Sequence, residues 1–263
     1  MTETPLSPTS SYNLEFYKKQ AKALLKAARA GDPAANARLK RYGDHEEPAL
    51  HTAQRAIARE QGFLSWPKFQ AFIIESRLDI QGLVARFVDA ATSDIARARD
   101  ILADHPDVAT AGVYPALVLG NWQRVAETIE EDPDWVTEKS GPENVEPLVY
   151  VCFSRFAHGR SERAPQLALT ARLLLSRGAD PDTALESEDG RLSCLYAASG
   201  LLNNSELTQL LLEAGADPND GESLYHATEH RDLTCLKLLL EHGARVTGSN
   251  AIKHMLDSER AEG

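Results

Sequence analysis

Residues 210–220 read LLLEAGADPND, and a similar phrase, LLLSRGADPDT, occupies residues 173–183. A third version, LLLEHGARVTG, stands at residues 238–248. In each version a run of leucines is followed, after two intervening residues, by a glycine. Glycine adopts positive φ at little steric cost and commonly ends helices, and the proline that follows in two versions prevents continuation. The phrase therefore predicts that the same type of helix ending occurs several times along the chain, which indicates an internal repeat.

The repeat can be followed further toward the N-terminus by its helix endings. Equivalent endings align at five positions, which are His105, Asp132, Gly178, Gly215 and Gly243. The steps between them are 27, 46, 37 and 28 residues, with a mean between 34 and 35. This mean is close to the period of about 33 residues that characterises one class of helical repeat. Unequal steps around a regular mean predict fixed helices joined by loops of different length.

The best-preserved unit, residues 224–244, reads LYHATEHRDLTCLKLLLEHGA and resembles the ankyrin repeat, whose pattern is roughly TPLHxAAxxGHxxIVxxLLxxGADxN. The matching positions are Leu224, Ala227, Leu233, Leu236, Leu239, Leu240 and Gly243. Residues 195–219 match with one extra residue, and residues 148–181 match at both ends of an insertion. The two units before them are degenerate and resemble divergent bacterial members. The stretch AREQGFLSWPKF at residues 58–69 resembles a leader found in those proteins.

The resemblance implies an all-α fold, an ankyrin-type solenoid of about five full repeats plus a C-terminal half-repeat, with an N-terminal helical cap. Each repeat buries its helices against its neighbours. We expect a disordered tail over residues 1–12, a helical unit over 13–80 and the repeat array over 81–263. The half-repeat beginning SNAIKHML at residue 249 favours an origin in a longer array, although a capping half-repeat is the alternative.

Composition bounds the possible partners and the compartment. The chain has 28 Lys and Arg against 39 Asp and Glu, a net charge of −11, which disfavours nucleic acid and anionic membrane surfaces. The N-terminus, MTETPLSPTSSYN, lacks the features of a secretory signal. Three cysteines without CxxC spacing are typical of reduced thiols. These features predict a soluble cytoplasmic protein.

One motif could carry metal chemistry. Residues 226–230 read HATEH and resemble the inverted zinc-protease signature, with His226 and His230 as ligands and Glu229 as general base. In the repeat frame, however, the motif spans the first helix of a unit, with Ala227 packing against its neighbour. No downstream carboxylate offers a clear third ligand. We therefore expect no metal, no cofactor and no enzymatic activity, and a zinc-dependent hydrolase remains the alternative.

The resemblance also implies a binding surface. In ankyrin proteins the projecting loops and the ends of the inner helices line a concave face that binds other proteins. By position this face would include Glu138, Lys139, Ser154, Arg155, Glu186, Glu188, Asp220, Glu222, Glu229 and His230. The insertion RFAHGRSERAPQ at residues 155–166 adds Arg160 and Arg163. We expect a scaffold or adaptor that binds a protein partner with a basic patch. A non-catalytic portion of a larger protein is the alternative.

Overall fold

In the computed structural model the described residues are 13–42, 47–187 and 190–247. The chain divides into two compact units, residues 1–79 and residues 80–263. The predicted tail at residues 1–12 and the predicted half-repeat from residue 249 lie outside the described residues. In the described part, no helix is both long and apolar enough to cross a membrane.

The first unit contains helices α1 (Leu14–Arg29), α2 (Pro33–Tyr42), α3 (Leu50–Glu60) and α4 (Trp66–Glu75). Local signals set their limits. The side chain of Asn13 accepts hydrogen bonds from the first turn of α1, and that of Ser65 accepts one from the first turn of α4. The buried core is rich in alanine and includes Leu24, Ile57, Phe69 and Ile73. Small residues allow these helices to approach one another closely.

The described part of the second unit is built from five successive helix pairs. The first two pairs are α5 (Ile80–Ser93) with α6 (Ile95–Asp104), and α7 (Val113–Leu119) with α8 (Trp122–Glu131). The third is α9 (Pro147–Phe153) with α10 (Ala164–Ser176). In the fourth, α11 (Cys194–Tyr196) continues through a π-helical turn at Ala197–Leu201 and is followed by α12 (Ser205–Glu213). The fifth is α13 (Ser223–Ala227) with α14 (Thr234–Glu241).

Stacking between successive pairs follows the repeat. Among the first helices, α7 contacts both α5 and α9. Among the second helices, α10 contacts both α8 and α12, and α12 contacts α14. Each pair thus covers the apolar faces of its neighbours, as expected of a repeat array. The predicted all-α helical-repeat architecture is confirmed.

The leucine stripes of the second helices form much of the core. Leu207 and Leu211 of α12 and Leu239 of α14 have no exposed surface. Leu240 also matches a position of the ankyrin pattern, but 43% of its surface is exposed. The buried stripe of α14 is centred on Cys235 and Leu239, which lie four residues apart on one face. The rotation of about 100° per residue carries the adjacent Leu240 away from that face.

The loops between pairs contain structure that the sequence analysis did not predict. Strands β1 (Ala184–Ser187) and β2 (Gly190–Ser193) form an antiparallel hairpin between the third and fourth pairs. An isolated bridge between Ser140 and Val145 lies in the preceding loop. These short strands project from an otherwise helical array.

Neighbouring loops are joined by a hydrogen bond that recurs with the repeat. Oδ1 of Asp182 accepts the backbone N–H of Asp217 at 2.8 Å. Oδ1 of Asn219 accepts the backbone N–H of Arg245, also at 2.8 Å. Asp182 and Asn219 are the last residues of the two phrases GADPD and GADPN, and each bonds to the third residue of the next GA phrase. The phrase therefore ends a helix and also links consecutive repeats.

Candidate functional site

A cluster of aromatic and acidic side chains lies on and next to the first helices of the fourth and fifth pairs. It consists of Tyr196, Glu222, Tyr225, His226 and Glu229, and we call it the tyrosine–glutamate patch. The His226 ring lies between the two tyrosines in edge-to-face contact, with ring centroids 5.1 Å and 5.0 Å apart. Its Nδ1 is 3.0 Å from Oε2 of Glu229, and its Nε2 is 3.3 Å from Oε2 of Glu222.

The patch combines partly exposed rings with negative charge. The side chains of Glu222 and Glu229 are 47% and 41% exposed, and both tyrosines are half-buried. Burial raises the pKa of the Tyr196 phenol, and the nearby carboxylates raise it further. The phenol is therefore neutral and can donate a hydrogen bond. Such amphipathic rings, immobilised by their neighbours, are typical of contact surfaces between proteins.

The zinc-like motif does not adopt the geometry that two histidine ligands require. Helix α13 ends at Ala227, so His230 lies beyond it. Nε2 of His230 is 2.6 Å from the carbonyl oxygen of Gly200. Because a carbonyl oxygen only accepts, this nitrogen carries the proton and has no lone pair for a metal. Across residues 13–42, 47–187 and 190–247, no group of three or more His, Cys, Asp or Glu is placed to hold a metal ion.

Asp220 was predicted to contact a partner. In the structure its carboxylate accepts hydrogen bonds from backbone and side-chain groups of this chain. Oδ1 accepts the backbone N–H groups of Glu222 at 3.1 Å and Ser223 at 2.8 Å. Oδ2 accepts the hydroxyl of Ser223 at 2.6 Å and also that of Ser193. The Ser193 hydroxyl in turn accepts the backbone N–H of Tyr196 at 2.8 Å. This network connects the starts of α11 and α13, and so positions the patch.

Ser154 requires a correction, because the side chain predicted to line the binding face has no exposed surface. Its hydroxyl donates to the carbonyl oxygen of Val118 at 2.6 Å and accepts the backbone N–H of Phe156 at 3.3 Å. A partner cannot reach it. The position was inferred from the repeat alignment, which does not show that the chain folds over Ser154 immediately after α9.

The other predicted loop residues lie at the surface. Glu138, Lys139 and Glu186 are exposed. Nζ of Lys139 is 3.9 Å from a carboxylate oxygen of Glu146, and Oε1 of Glu186 is 3.8 Å from Nε of Arg191. Exposed pairs at such distances contribute little to stability, so these charges can exchange partners. Glu188 lies outside the described residues.

The insertion folds back over earlier repeats, and residues 154–163 are called the clamp segment. Nε of Arg155 donates to the carbonyl oxygen of Thr92 at the end of α5, at 3.1 Å. A guanidinium N–H of Arg163 donates to the carbonyl oxygen of Leu119 at the end of α7, at 3.2 Å. The clamp segment thus belongs to the third pair but is bonded to the first and second.

The same segment is bonded to the fourth pair. Nδ2 of Asn204 donates to the carbonyl oxygen of Ala157 at 2.6 Å, and the N–H of Gly159 donates to the carbonyl oxygen of Leu202 at 3.2 Å. Sequence analysis did not predict this bridging role. The sequence signal that could have indicated it is the apolar pair Phe156-Ala157 at the start of a polar insertion. Both residues are buried in the structure.

Comparisons with known proteins agree with the geometry. Residues 164–250 match the family model for ankyrin repeats, in three copies. Over 80 residues the chain is 42% identical to "Ankyrin repeat and SOCS box protein 2" of Rattus norvegicus and 41% identical to that of Homo sapiens. The aligned stretch is 30% of this chain and 12% of those proteins. These relatives are mammalian, and the resemblance to bacterial members stays a prediction. With its stacked helix pairs and recurring GA phrase, this chain contains an array of ankyrin repeats, which the family model identifies over residues 164–250.

Proposed function

We propose that the chain is a protein-binding module whose contact surface is the tyrosine–glutamate patch. The observation that carries the proposal is the Tyr196–His226–Tyr225 ring cluster flanked by two exposed carboxylates. Ankyrin repeats are protein-interaction elements and are generally non-catalytic, which supports binding over catalysis. The patch lies on and next to the first helices of adjacent repeats, the position expected for the concave face.

The chemistry of the patch favours a partner segment that carries Lys or Arg. A cation can pair with Glu222 or Glu229 while its alkyl stem or guanidinium lies against a tyrosine ring. The exposed Glu138 and Glu186 extend the negative charge along the loops. The net charge of −11 would accelerate the approach of such a partner and disfavours nucleic acid and anionic membranes. The free, buried thiols are compatible with a cytoplasmic location.

The first step of a test is to capture the partner through the patch itself. A photo-crosslinking amino acid is placed at Tyr225, and in a control chain at Gln209, which is exposed on α12. After illumination in a lysate of the source cells, we expect one protein to be crosslinked from position 225 and not from position 209. The affinity of the purified partner for the unmodified chain is then measured.

The second step asks whether the carboxylates are required. The double variant Glu222→Lys, Glu229→Lys is compared with Glu206→Lys, Glu241→Lys, which makes the same charge change on exposed positions of α12 and α14. We expect the first variant to bind about tenfold or more weakly, a loss of about 1.4 kcal/mol, with a shallower salt dependence. The control should bind as the wild type does. Equal affinities of the two variants would contradict the proposal.

A further inference from the structure

A second surface of opposite charge lies beside the clamp segment. A groove with a volume of about 460 Å³ is lined by Arg99 and Leu102 of α6 and by Phe156, Arg160, Ser161, Glu162 and Arg163 of the clamp segment. Its lining carries three arginines and one glutamate. The chain as a whole has a net charge of −11, so the groove is a positively charged region on a negatively charged protein. We call it the arginine groove.

One guanidinium in the groove is immobilised. Arg163 donates to the carbonyl oxygen of Leu119 at 3.2 Å, and its Cζ lies 5.8 Å from the centre of the Phe156 ring. A guanidinium has five N–H donors, so this bond leaves others for a ligand. Because its orientation is already set, little rotamer entropy would be lost when an anion binds.

The other two arginines are exposed. Within the described ranges, neither Arg99 nor Arg160 forms an ion pair with a side chain of this protein. The pKa of Asp232 is lowered, first by hydrogen bonds from Thr234 and then in small part by the charge of Arg160. The positive charge in the groove therefore acts on a neighbouring carboxylate while its donors stay available.

The walls of the groove are preformed. Phe156 is buried, and its ring centroid is 6.4 Å from that of Phe87 on α5. The hydrogen bonds from Asn204 to Ala157 and from Gly159 to Leu202 hold the clamp segment against the fourth pair. The arginines therefore project from a scaffold tied to several helix pairs. An interaction surface of this kind binds with a smaller ordering cost than a free loop.

We propose that the arginine groove binds an acidic peptide segment of a partner protein, with carboxylates on the guanidinium groups and an apolar side chain against Leu102. Planar guanidinium groups match the geometry of carboxylates and can bond them bidentately. The volume falls within the range of pockets that hold molecules larger than a single inorganic anion. A long polyphosphate would extend from the groove onto an acidic surface, which disfavours nucleic acid. No residue of the groove belongs to the tyrosine–glutamate patch.

The binding test uses the full chain and a defined probe. Fluorescence anisotropy is measured with a labelled peptide of sequence GDELDEG, and with the uncharged counterpart GNQLNQG as the control probe. Titrations are made at low ionic strength and again at about 0.15 M salt. We expect saturable binding of the acidic peptide that weakens with salt, and no saturable binding of the uncharged one. Absence of saturable binding of the acidic peptide would overturn the proposal.

Location in the groove is tested with matched charge reversals. Arg99→Glu, Arg160→Glu should weaken peptide binding at least tenfold. Arg172→Glu, Arg177→Glu, which makes the same charge change at exposed positions in and just after α10, should leave it within about twofold, a difference of about 0.4 kcal/mol. Arg163 is left in place because it supports the clamp segment, and thermal unfolding verifies that both variants are folded. Equal losses in the two variants would mean unspecific attraction and overturn the proposal.

Two competitors separate the alternatives. If an oligothymidylate displaces the peptide at a lower concentration than unlabelled peptide does, the groove is a nucleic-acid site and the proposal is wrong. If inorganic phosphate displaces it as effectively as unlabelled peptide, the groove is a small-anion site and the proposal is again wrong. The variant Glu222→Lys, Glu229→Lys should bind the acidic peptide normally. The outcome for the groove is thereby independent of the outcome for the tyrosine–glutamate patch.

Discussion

At the scale of single residues, Asn204 shows how one side chain can serve two parts of the array. It is 3% exposed, and its Oδ1 accepts the backbone N–H of Leu207 at 3.0 Å, which caps α12. Its Nδ2 donates to the carbonyl oxygen of Ala157 in the clamp segment at 2.6 Å. An asparagine before a helix is a common cap, and the local sequence is sufficient to favour it. The second bond depends on the clamp segment reaching this position.

Asn204→Ala should therefore lower the free energy of unfolding by more than the loss of an ordinary helix cap does. Loss of the cap costs about 1 kcal/mol, and a buried carbonyl left without a donor costs about 1–3 kcal/mol more. Asn121→Ala is the control, since Asn121 is an exposed cap of α8 that accepts the N–H of Arg124 at 3.2 Å. For Asn121→Ala we expect the free energy of unfolding to fall by about 1 kcal/mol. Urea unfolding measures both, and equal losses would show that the bond to Ala157 contributes nothing.

At the scale of elements, the turn between α7 and α8 is constrained more tightly than the turn after α12, which also uses glycine. Gly120 has φ of +77°, and a Cβ there would lie 2.8 Å from backbone atoms of Gln166 and Leu167 in α10. Gly215, after α12, has φ of +101°, and a Cβ there would meet no atom within 4 Å. The first glycine is required for its conformation and for close helix packing. The second is required for its conformation alone.

The two glycines should separate these effects when each is replaced by alanine. Gly215→Ala should lower the free energy of unfolding by about 1 kcal/mol, the cost of a left-handed residue with a Cβ. Gly120→Ala should lose that amount plus about 1–3 kcal/mol, because α10 must shift to accommodate the methyl group. Denaturant unfolding of both variants is the measurement. Equal losses would mean that α10 does not approach the turn as closely as described.

At the scale of the whole molecule, the clamp segment changes how the array should unfold. Repeats usually contact only their neighbours, so a terminal repeat can open alone. Here the third pair is bonded to the first through Arg155 and to the fourth through Asn204. We expect the first four pairs to unfold together, with the fifth pair opening at lower free energy.

The three cysteines provide a way to observe this order. Cys152, Cys194 and Cys235 lie in the third, fourth and fifth pairs, and all are buried and free. Burial raises the pKa of Cys194, as does the adjacent Cys152, and burial raises the pKa of Cys235, so the thiols of Cys194 and Cys235 are neutral. Iodoacetamide under native conditions, followed by peptide mass spectrometry, should label Cys235 first. Simultaneous labelling of all three would indicate that the array opens as one unit.

Local signals determined a large share of the structure from the sequence alone. The leucine spacing and the glycines of positive φ at Gly178, Gly215 and Gly243 each act within a few residues. They were sufficient to predict the helix endings and the repeat, and the resemblance to ankyrin repeats then implied the all-α class. The resemblance to ankyrin repeats also placed Glu222 and Glu229 on a binding face, and that assignment stays a prediction.

The tertiary structure decided the rest, because it brings together groups that are far apart in the chain. Arg155 bonds to a carbonyl 63 residues away, and Asp182 to an N–H 35 residues away. The burial of Ser154, the structural role of Asp220 and the meeting of Arg99 with Arg160 all depend on such contacts. Short-range periodicity cannot specify which distant groups become neighbours. Only the stacked array, with its insertion folded back over earlier repeats, determines which charges remain available to a partner.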